Sequence, residues 1–159
     1  RRRCQARVPA FDTGPPWPDR HGSGLRAGLP GRIASMNEPR TVSLIGRFRE
    51  FGYDDAPSLS VARGRGRWPN KEAVVAYLAA GKLMIMSPGL VPDVFSPPAN
   101  AGALHILTDG TFAWHEALAH FVDRHDVELP SDFEAHMTRN GFRLPEEIRT
   151  RDLGLAPEP

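Results

Sequence analysis

Apolar residues at helical spacing predict a helix between Asn70 and Gly81. The apolar residues Val74, Val75, Tyr77 and Leu78 are expected to form one helix face. Asn70 belongs to the residue types that cap helix N-termini, and glycine commonly ends a helix, as Gly81 would here. The cap, the apolar face and the stop all indicate the same element.

A second repeat predicts a short amphipathic helix from Thr41 to Phe51. Its apolar residues recur at every third position, namely Val42, Ile45, Phe48 and Phe51. The following segment SLSVA, residues 58–62, alternates loosely between polar and apolar residues, which favours a strand.

Two short apolar runs predict strands, and a turn signal follows the second run. The runs are KLMIMS at residues 82–87 and LHILT at residues 104–108. Asp109 and Gly110 then precede TFAW. An Asp-Gly pair suits a type I′ turn, because both central residues of that turn need positive φ. The sequence therefore predicts a β-hairpin closed by Asp109 and Gly110.

Two further helices are predicted after this hairpin. The first has an apolar stripe that runs to about residue 126 and consists of Trp114, Leu118, Phe121 and Val122. The second begins with a capping box, in which Ser131 and Glu134 would each bond to the other's backbone amide. Gly141 is expected to end it.

The segment between the two predicted strands is long and rich in proline. It reads SPGLVPDVFSPPANAG, residues 87–102, and carries almost no regular pattern. Loops of this length inside compact domains are uncommon and are often functional. We therefore expect a binding surface where this loop meets the hairpin, with contact residues Val91, Asp93, Phe95 and Asp109. The alternative is a lid that only covers one edge of the sheet.

The two ends of the chain differ in composition from the middle. Residues 1–35 hold seven arginines, five glycines and five prolines without an apolar period, which predicts disorder. We expect Met36 to be the natural start and residues 1–35 to be upstream DNA translated by error, with a basic nucleic-acid-binding arm as the alternative. Residues 36–150 are predicted as one domain, and residues 151–159 as a frayed tail.

The charge of the body bears on its partners. Residues 36–159 carry 13 Lys and Arg residues against 17 Asp and Glu residues, a net charge of −4. This balance argues against a nucleic-acid partner and suits a basic protein. The stretch RGRGRW, residues 63–68, has arginines and an aromatic residue as nucleic-acid sites do, but in an acidic body we expect a solvated loop whose arginines meet nearby acids.

The cysteine count and the apolar runs bear on location. Cys4 is the only cysteine, which excludes an intramolecular disulfide and fits a reducing compartment. No apolar run approaches the roughly 20 residues that a membrane-spanning helix needs. The sequence indicates a cytoplasmic chain with no membrane partner.

The stretch FAWHEALAHF, residues 112–121, looks like a zinc-protease helix but has the wrong spacing. Histidines four residues apart share a helix face, whereas His115 and His120 are five apart and differ by about 140° around the axis. On this helix His120 is predicted to face solvent. His125 falls in the apolar stripe, where a histidine most often bonds a backbone carbonyl. No zinc site is expected on this helix.

A cluster assembled by tertiary structure stays open. His105 and Asp109 on the hairpin would have to approach His115, and Asp93 in the long loop would have to join them. The sequence has no Gly-x-Ser-x-Gly elbow and no phosphate-binding glycine motif. We therefore predict no catalytic residue, no metal ligand and no cofactor.

One set of turn, core and cap residues carries a resemblance. The set consists of Thr108, Asp109, Gly110, Phe112, Trp114, Leu118, Phe121, Val122, Leu129, Pro130 and Phe133. With it, the chain resembles small uncharacterised actinobacterial proteins that have the pattern TDG-aromatic-x-W-P-x-x-L-x-x-Y-V followed by L-P-x-x-F. His115 stands where that pattern often has proline. The resemblance implies no known reaction, and such proteins look like accessory or immunity-type products.

The sequence as a whole predicts an α+β domain. A small antiparallel sheet that contains the Asp109-Gly110 hairpin would be packed by about four helices. The expected role is a non-catalytic protein-binding or accessory module, of immunity type, with a basic protein partner. The alternative is a small metal-dependent hydrolase that uses His105, His115 and nearby acids.

Overall fold

A computed structural model of the chain describes residues 40–157. The predictions made for residues 1–35 and for Met36 lie outside the described residues. The first elements are β1 (Arg40–Leu44), a 3₁₀ turn (Arg49–Phe51), α1 (Leu59–Ala62) and α2 (Lys71–Ala80). Five strands follow, namely β2 (Lys82–Ile85), β3 (Leu90–Pro92), β4 (Asn100–Ala103), β5 (Ile106–Thr108) and β6 (Phe112–His115). The last elements are α3 (Leu118–His125), α4 (Ser131–Arg139), a second 3₁₀ turn (Thr150–Asp152) and β7 (Leu153–Leu155).

The strands form one five-stranded sheet and one separate hairpin. The sheet has the order β2-β5-β6-β1-β7, and β3 pairs with β4. Strands β2, β5 and β6 are antiparallel neighbours, whereas β1 runs parallel to both β6 and β7. The α+β class, the Asp-Gly hairpin and the four helices are therefore confirmed, and the sheet has a parallel half in addition.

The β5–β6 hairpin has a longer turn than the sequence predicted. Thr108 pairs with Ala113, so four residues rather than two connect the paired positions. Gly110 has a φ of 88°, but Asp109 does not take positive φ. Its side chain instead accepts hydrogen bonds from the amides of Thr111 and Phe112, at 2.8 and 2.7 Å. The prediction of a type I′ turn was wrong, because these hydrogen bonds stabilise a wider turn.

Helix α2 is as predicted. The Asn70 side chain accepts a hydrogen bond from the amide of Ala73 at 3.2 Å. Gly81 ends the helix where it meets the sheet, and a Cβ at this position would lie 2.7 Å from a ring carbon of Trp114. Glycine is required here by close packing, since a larger residue would push the helix away from the strand.

The core lies on both faces of the sheet. The larger cluster packs α2 and α3 against the sheet, and Tyr77, Leu78, Trp114, Leu118, Phe121 and Phe133 are among its members. A smaller cluster consists of Val42, Ile106 and Ala113, against which Met84, Leu153 and Leu155 pack. Strand β7 thus completes the second face.

Residues 41–51 do not form the predicted helix. All four residues of the apolar repeat are buried, but Val42 lies in β1 and Phe51 lies in the 3₁₀ turn. Pairing with two neighbouring strands outweighs a local helical period here. The predicted strand at 58–62 is also wrong, because α1 forms with Ser58 as its cap and the Glu50 carboxylate accepts from the amide of Leu59 at 2.9 Å.

The helices after the hairpin begin later than predicted or are capped differently. Trp114 lies in β6, and α3 begins at Leu118. Ser131 is the first residue of α4 rather than its cap, and the amide of Glu134 donates to the carbonyl of Pro130 at 3.0 Å. The predicted capping box is therefore absent, because the chain enters the helix one residue earlier.

Two segments are more regular than predicted. The long segment 87–102 contains β3 and most of β4. The predicted frayed tail contains β7, in which Leu155 pairs with Val42 of β1. In both cases the partner strand supplies the order, and local composition does not reveal that partner.

Candidate functional site

The β3–β4 hairpin holds the carboxylate of Asp93 in a fixed place. The Asp93 amide donates to the carbonyl of Ala99 at 2.9 Å, and its carbonyl accepts from the amide of Ser96 at 3.2 Å. The amide of Phe95 donates to Asp93 Oδ1 at 3.0 Å. Asp93 is only 2% exposed. These bonds close a tight turn that aims the carboxylate inward.

Two histidines of α3 meet that carboxylate. His120 Nε2 lies 2.8 Å from Asp93 Oδ2. His125 Nε2 lies 3.0 Å from Oδ1 and 2.9 Å from Oδ2. We call these three residues the Asp93 cluster. In the described part of the chain it is the one group of three or more side chains with metal-ligand atoms within 4.8 Å of one another.

Aromatic rings enclose one side of the Asp93 cluster. The ring of Phe95 lies 4.8 Å from that of His125, and Phe121 lies 5.6 Å from His120 and 6.0 Å from His125. The guanidinium of Arg63 stacks over Phe95 at 4.4 Å. The two phenylalanine rings shield the polar atoms of the Asp93 cluster from bulk water.

The surroundings of Asp93 favour its charged form. Burial alone would raise the pKa of Asp93, because it disfavours the charged form. The hydrogen bonds from His120 and His125, with that from the Phe95 amide, outweigh burial and hold the pKa well below its usual range. Asp93 is a carboxylate at neutral pH.

The orientation of these histidines corrects the sequence analysis. His120 was expected to face solvent, yet its side chain is 25% exposed and contacts Asp93. His125 was expected to bond a backbone carbonyl, and it bonds a carboxylate. The two are five residues apart, but their side chains reach toward an acceptor that lies between them. Two side chains that point in different directions around a helix can therefore still contact the same carboxylate.

His115 occupies a different environment. It lies on β6, not on a helix, with its ring 4.8 Å from Phe51. Its Nε2 is 3.0 Å from the hydroxyl of Tyr53. Burial lowers the pKa of His115 to about 4, because a charged imidazole is disfavoured away from water. His115 is therefore a neutral packing residue.

Asp109 stabilises the turn of the β5–β6 hairpin and connects it to neighbouring helices. Besides the turn amides, it accepts from the hydroxyl of Tyr77 at 2.7 Å, and His136 Nε2 lies 3.1 Å away. Burial, followed by the hydrogen bond and the charge of Asp109, raises the pKa of Tyr77. These contacts join α2 and α4 to the turn, so the role they indicate is structural.

The structure does not assemble His105, Asp109 and His115 into one site. Each bonds a different partner, and His105 Nδ1 accepts from the amide of Ser87 at 3.3 Å. His105 instead lines a cleft of about 460 Å³ with Glu116 and His120. One edge of the Asp93 cluster thus borders a cleft with two further titratable side chains.

The four predicted contact residues are placed inward. Val91, Asp93 and Asp109 are buried, and Phe95 packs against the core. The prediction that they bind a partner stays a prediction, and their burial counts against it. In β3 successive side chains alternate, so Val91 points inward whereas Leu90 is 63% exposed.

Exposed apolar side chains are concentrated in one stretch of the sequence, which runs from β2 into the β3–β4 hairpin. Among residues 40–157, five of the six exposed large hydrophobic residues fall between 83 and 94. They are Leu83, Ile85, Met86, Leu90 and Val94, and the sixth is Val61 on α1. Scattered apolar residues are normal on a protein surface, whereas concentrated ones mark interaction sites. We call this segment the 83–94 surface.

The RGRGRW loop is fastened to the end of α3. The amide of Gly64 donates to the carbonyl of His125, and that of Gly66 to the carbonyl of Asp126. Arg67 donates to the carbonyl of Gly64 at 2.9 Å. Arg67 therefore bonds backbone carbonyls where the sequence analysis expected acids. Nucleic-acid binding by this loop stays untested.

Comparisons with protein-family models, curated proteins and solved structures found no match to this chain. Each helix in residues 40–157 is too short or too polar to cross a lipid bilayer.

Proposed function

We propose that this domain is a non-catalytic protein-binding module whose 83–94 surface binds a basic protein partner. The observation that carries the proposal is the concentration of exposed apolar side chains in that surface. Met86 is 72% exposed and Leu90 is 63% exposed, so both are available to a partner. Apolar side chains of this size commonly provide the centre of a protein interface.

The backbone behind this surface is held in place. Val91 is buried beside Leu90, and the pairing of β3 with β4 anchors the hairpin that carries both residues. The Asp93 cluster fastens the same hairpin to α3. A preorganised surface loses less conformational entropy on binding, which favours recognition.

The charge of the body favours a basic partner. Residues 36–159 have a net charge of −4, and opposite charge speeds association and excludes acidic competitors. An immunity-type role, in which the domain would cover a basic enzyme, fits this charge. The alternative, a hydrolase that uses His105 and His115, has less support because these histidines bond different partners.

The test compares two sets of apolar substitutions. Proteins captured from the source organism by the full chain would be identified, and the purified partner titrated by calorimetry. The double variant Met86→Gln and Leu90→Gln should weaken binding at least about tenfold, because it removes the apolar centre. The matched control Val61→Gln, on α1, should leave the affinity unchanged. Added salt should weaken binding to a basic partner.

Three results would contradict the proposal. Equal affinity of the double variant and the wild-type chain would exclude the 83–94 surface. Capture of an acidic partner would contradict the expectation that the partner is basic. Concentration-dependent self-association that the double variant abolishes would show that a second copy of the chain covers this surface instead.

A further inference from the structure

The Asp93 cluster contains potential metal ligands, which the proposed protein-binding role does not require. It gathers one carboxylate and two imidazoles, and their ligand atoms lie within 4.8 Å of one another. Two of these side chains come from α3 and one comes from the β3–β4 hairpin, so the fold itself brings them together.

We propose that Asp93, His120 and His125 bind one divalent transition-metal ion. The donor set is two nitrogens and one oxygen, which suits Zn²⁺, Co²⁺ or Ni²⁺. Ca²⁺ and Mg²⁺ favour sites made entirely of oxygen ligands, so they fit this set poorly. A bound cation would also offset the negative charge of the Asp93 carboxylate, which is only 2% exposed.

The distances between the donor atoms support this assignment. In tetrahedral geometry, metal bonds of about 2.0–2.2 Å place neighbouring ligand atoms about 3.3–3.6 Å apart. Asp93 Oδ2 is 2.8 Å from His120 Nε2 and 2.9 Å from His125 Nε2. Each of these two pairs would need to separate by about 0.4–0.8 Å for an ion to bind between them. Each imidazole would then carry its proton on Nδ1 and offer Nε2 to the ion.

The site has one closed side and one open side. Phe95 and Phe121 pack against the histidine rings on the closed side. His120 borders the cleft that also contains His105 and Glu116. Three protein ligands leave coordination positions for water, and the cleft provides the route by which an ion and water would enter.

A metal-free network is the competing explanation. In that case the hydrogen bonds from His120 and His125 to Asp93 simply fasten the hairpin to α3. Such a network would need neither ion nor open cleft. Metal binding and its dependence on His120 distinguish the two explanations.

The experiment uses the full chain, purified without a histidine tag and dialysed against chelator. Titration with zinc chloride by calorimetry should give about one ion per chain, and cobalt chloride should give the visible absorption of a Co²⁺ site with nitrogen ligands. His120→Asn should weaken zinc binding by at least about tenfold, since it removes one ligand. His120 is partly exposed, so this variant should still fold, as circular dichroism would verify.

Matched controls separate this site from other donors. His105→Asn changes the same cleft without touching the Asp93 cluster and should leave zinc affinity unchanged. The double variant Cys4→Ser and His21→Asn should also leave it unchanged. The Met86→Gln and Leu90→Gln variant should bind zinc normally, so failure of protein binding and failure of metal binding are separable.

The proposal would be overturned by any of three results. The wild-type chain binds no cobalt at millimolar concentration, or His120→Asn binds zinc as tightly as the wild-type chain. The third result is a loss of zinc affinity in His105→Asn as large as that in His120→Asn, which would indicate nonspecific binding by cleft histidines.

Discussion

The burial of His115 links its protonation to the stability of the domain. The imidazole packs against Phe51 and contacts the hydroxyl of Tyr53. Its pKa of about 4 in the folded chain lies below the ordinary value of 6.5. The unfolded chain therefore binds a proton at a pH where the folded chain does not, and acid favours unfolding.

We expect the free energy of unfolding to fall as the pH drops from about 6.5 to about 4, by about 1 to 3 kcal/mol from this residue. Above this window both states are neutral at His115, and below it both are charged. Urea unfolding at a series of pH values measures the effect. His115→Gln should lose this component of the pH dependence, whereas His105→Asn should retain it. Identical slopes in His115→Gln and the wild-type chain would contradict the assignment.

Sequence reasoning found some residues of the candidate site and missed others. Asp93 was selected because it lies in a long proline-rich segment, and the structure places it at the centre of the cluster. His120 and His125 were missed because an ideal helix predicts a different direction for each side chain. The meeting depends on where the β3–β4 hairpin lies, which no local pattern specifies. The signal available in the sequence was limited to two histidines on one predicted helix and an aspartate in the proline-rich segment.

Local signals predicted the elements well only where local forces decide them. Helix α2 has its cap, its apolar face and a stop within one short segment, and the helix forms between Asn70 and Gly81 as predicted. The apolar repeat of residues 41–51 correctly identified buried positions, but strand pairing set the conformation of β1. Ser131 and Glu134 have the residue types of a capping box, but helix α4 begins at Ser131, so Ser131 does not occupy the cap position.

Two substitutions at helix starts should therefore differ in effect. Asn70→Ala should lower the free energy of unfolding by about 1 kcal/mol, because it removes the acceptor for the Ala73 amide. Ser131→Ala should change it by less than about 0.5 kcal/mol, because Ser131 does not act as the cap. Urea unfolding of both variants tests the pair. A larger loss of stability in Ser131→Ala than in Asn70→Ala would contradict this expectation and would indicate that Ser131 does cap helix α4.

At the scale of the whole molecule, β7 joins the end of the described chain to its beginning. Leu153 pairs with Arg40 and Leu155 with Val42, and both leucines cover the second core cluster. The sequence could not reveal this pairing, because three residues carry too short a pattern to specify a parallel partner. The prediction of a frayed tail followed from that lack of local signal.

A chain that stops after Asp152 should be less stable than one that stops after Pro157. The shorter chain loses Leu153 and Leu155, and each half-buried leucine contributes about 1 kcal/mol, so we expect a loss of about 2 kcal/mol. Thermal and urea unfolding of the two chains provide the measurement. Equal stability would show that β7 contributes nothing to the fold.

The parallel pairing of β1 also has a consequence for folding. Both neighbours of this strand, β6 and β7, lie far along the chain. Contacts between distant segments raise contact order and slow folding, because a long loop must close before they form. During synthesis on the ribosome, β1 emerges early and must wait for nearly the whole domain before its second neighbour appears. Its edge is open to chaperones, or to mispairing, throughout that interval.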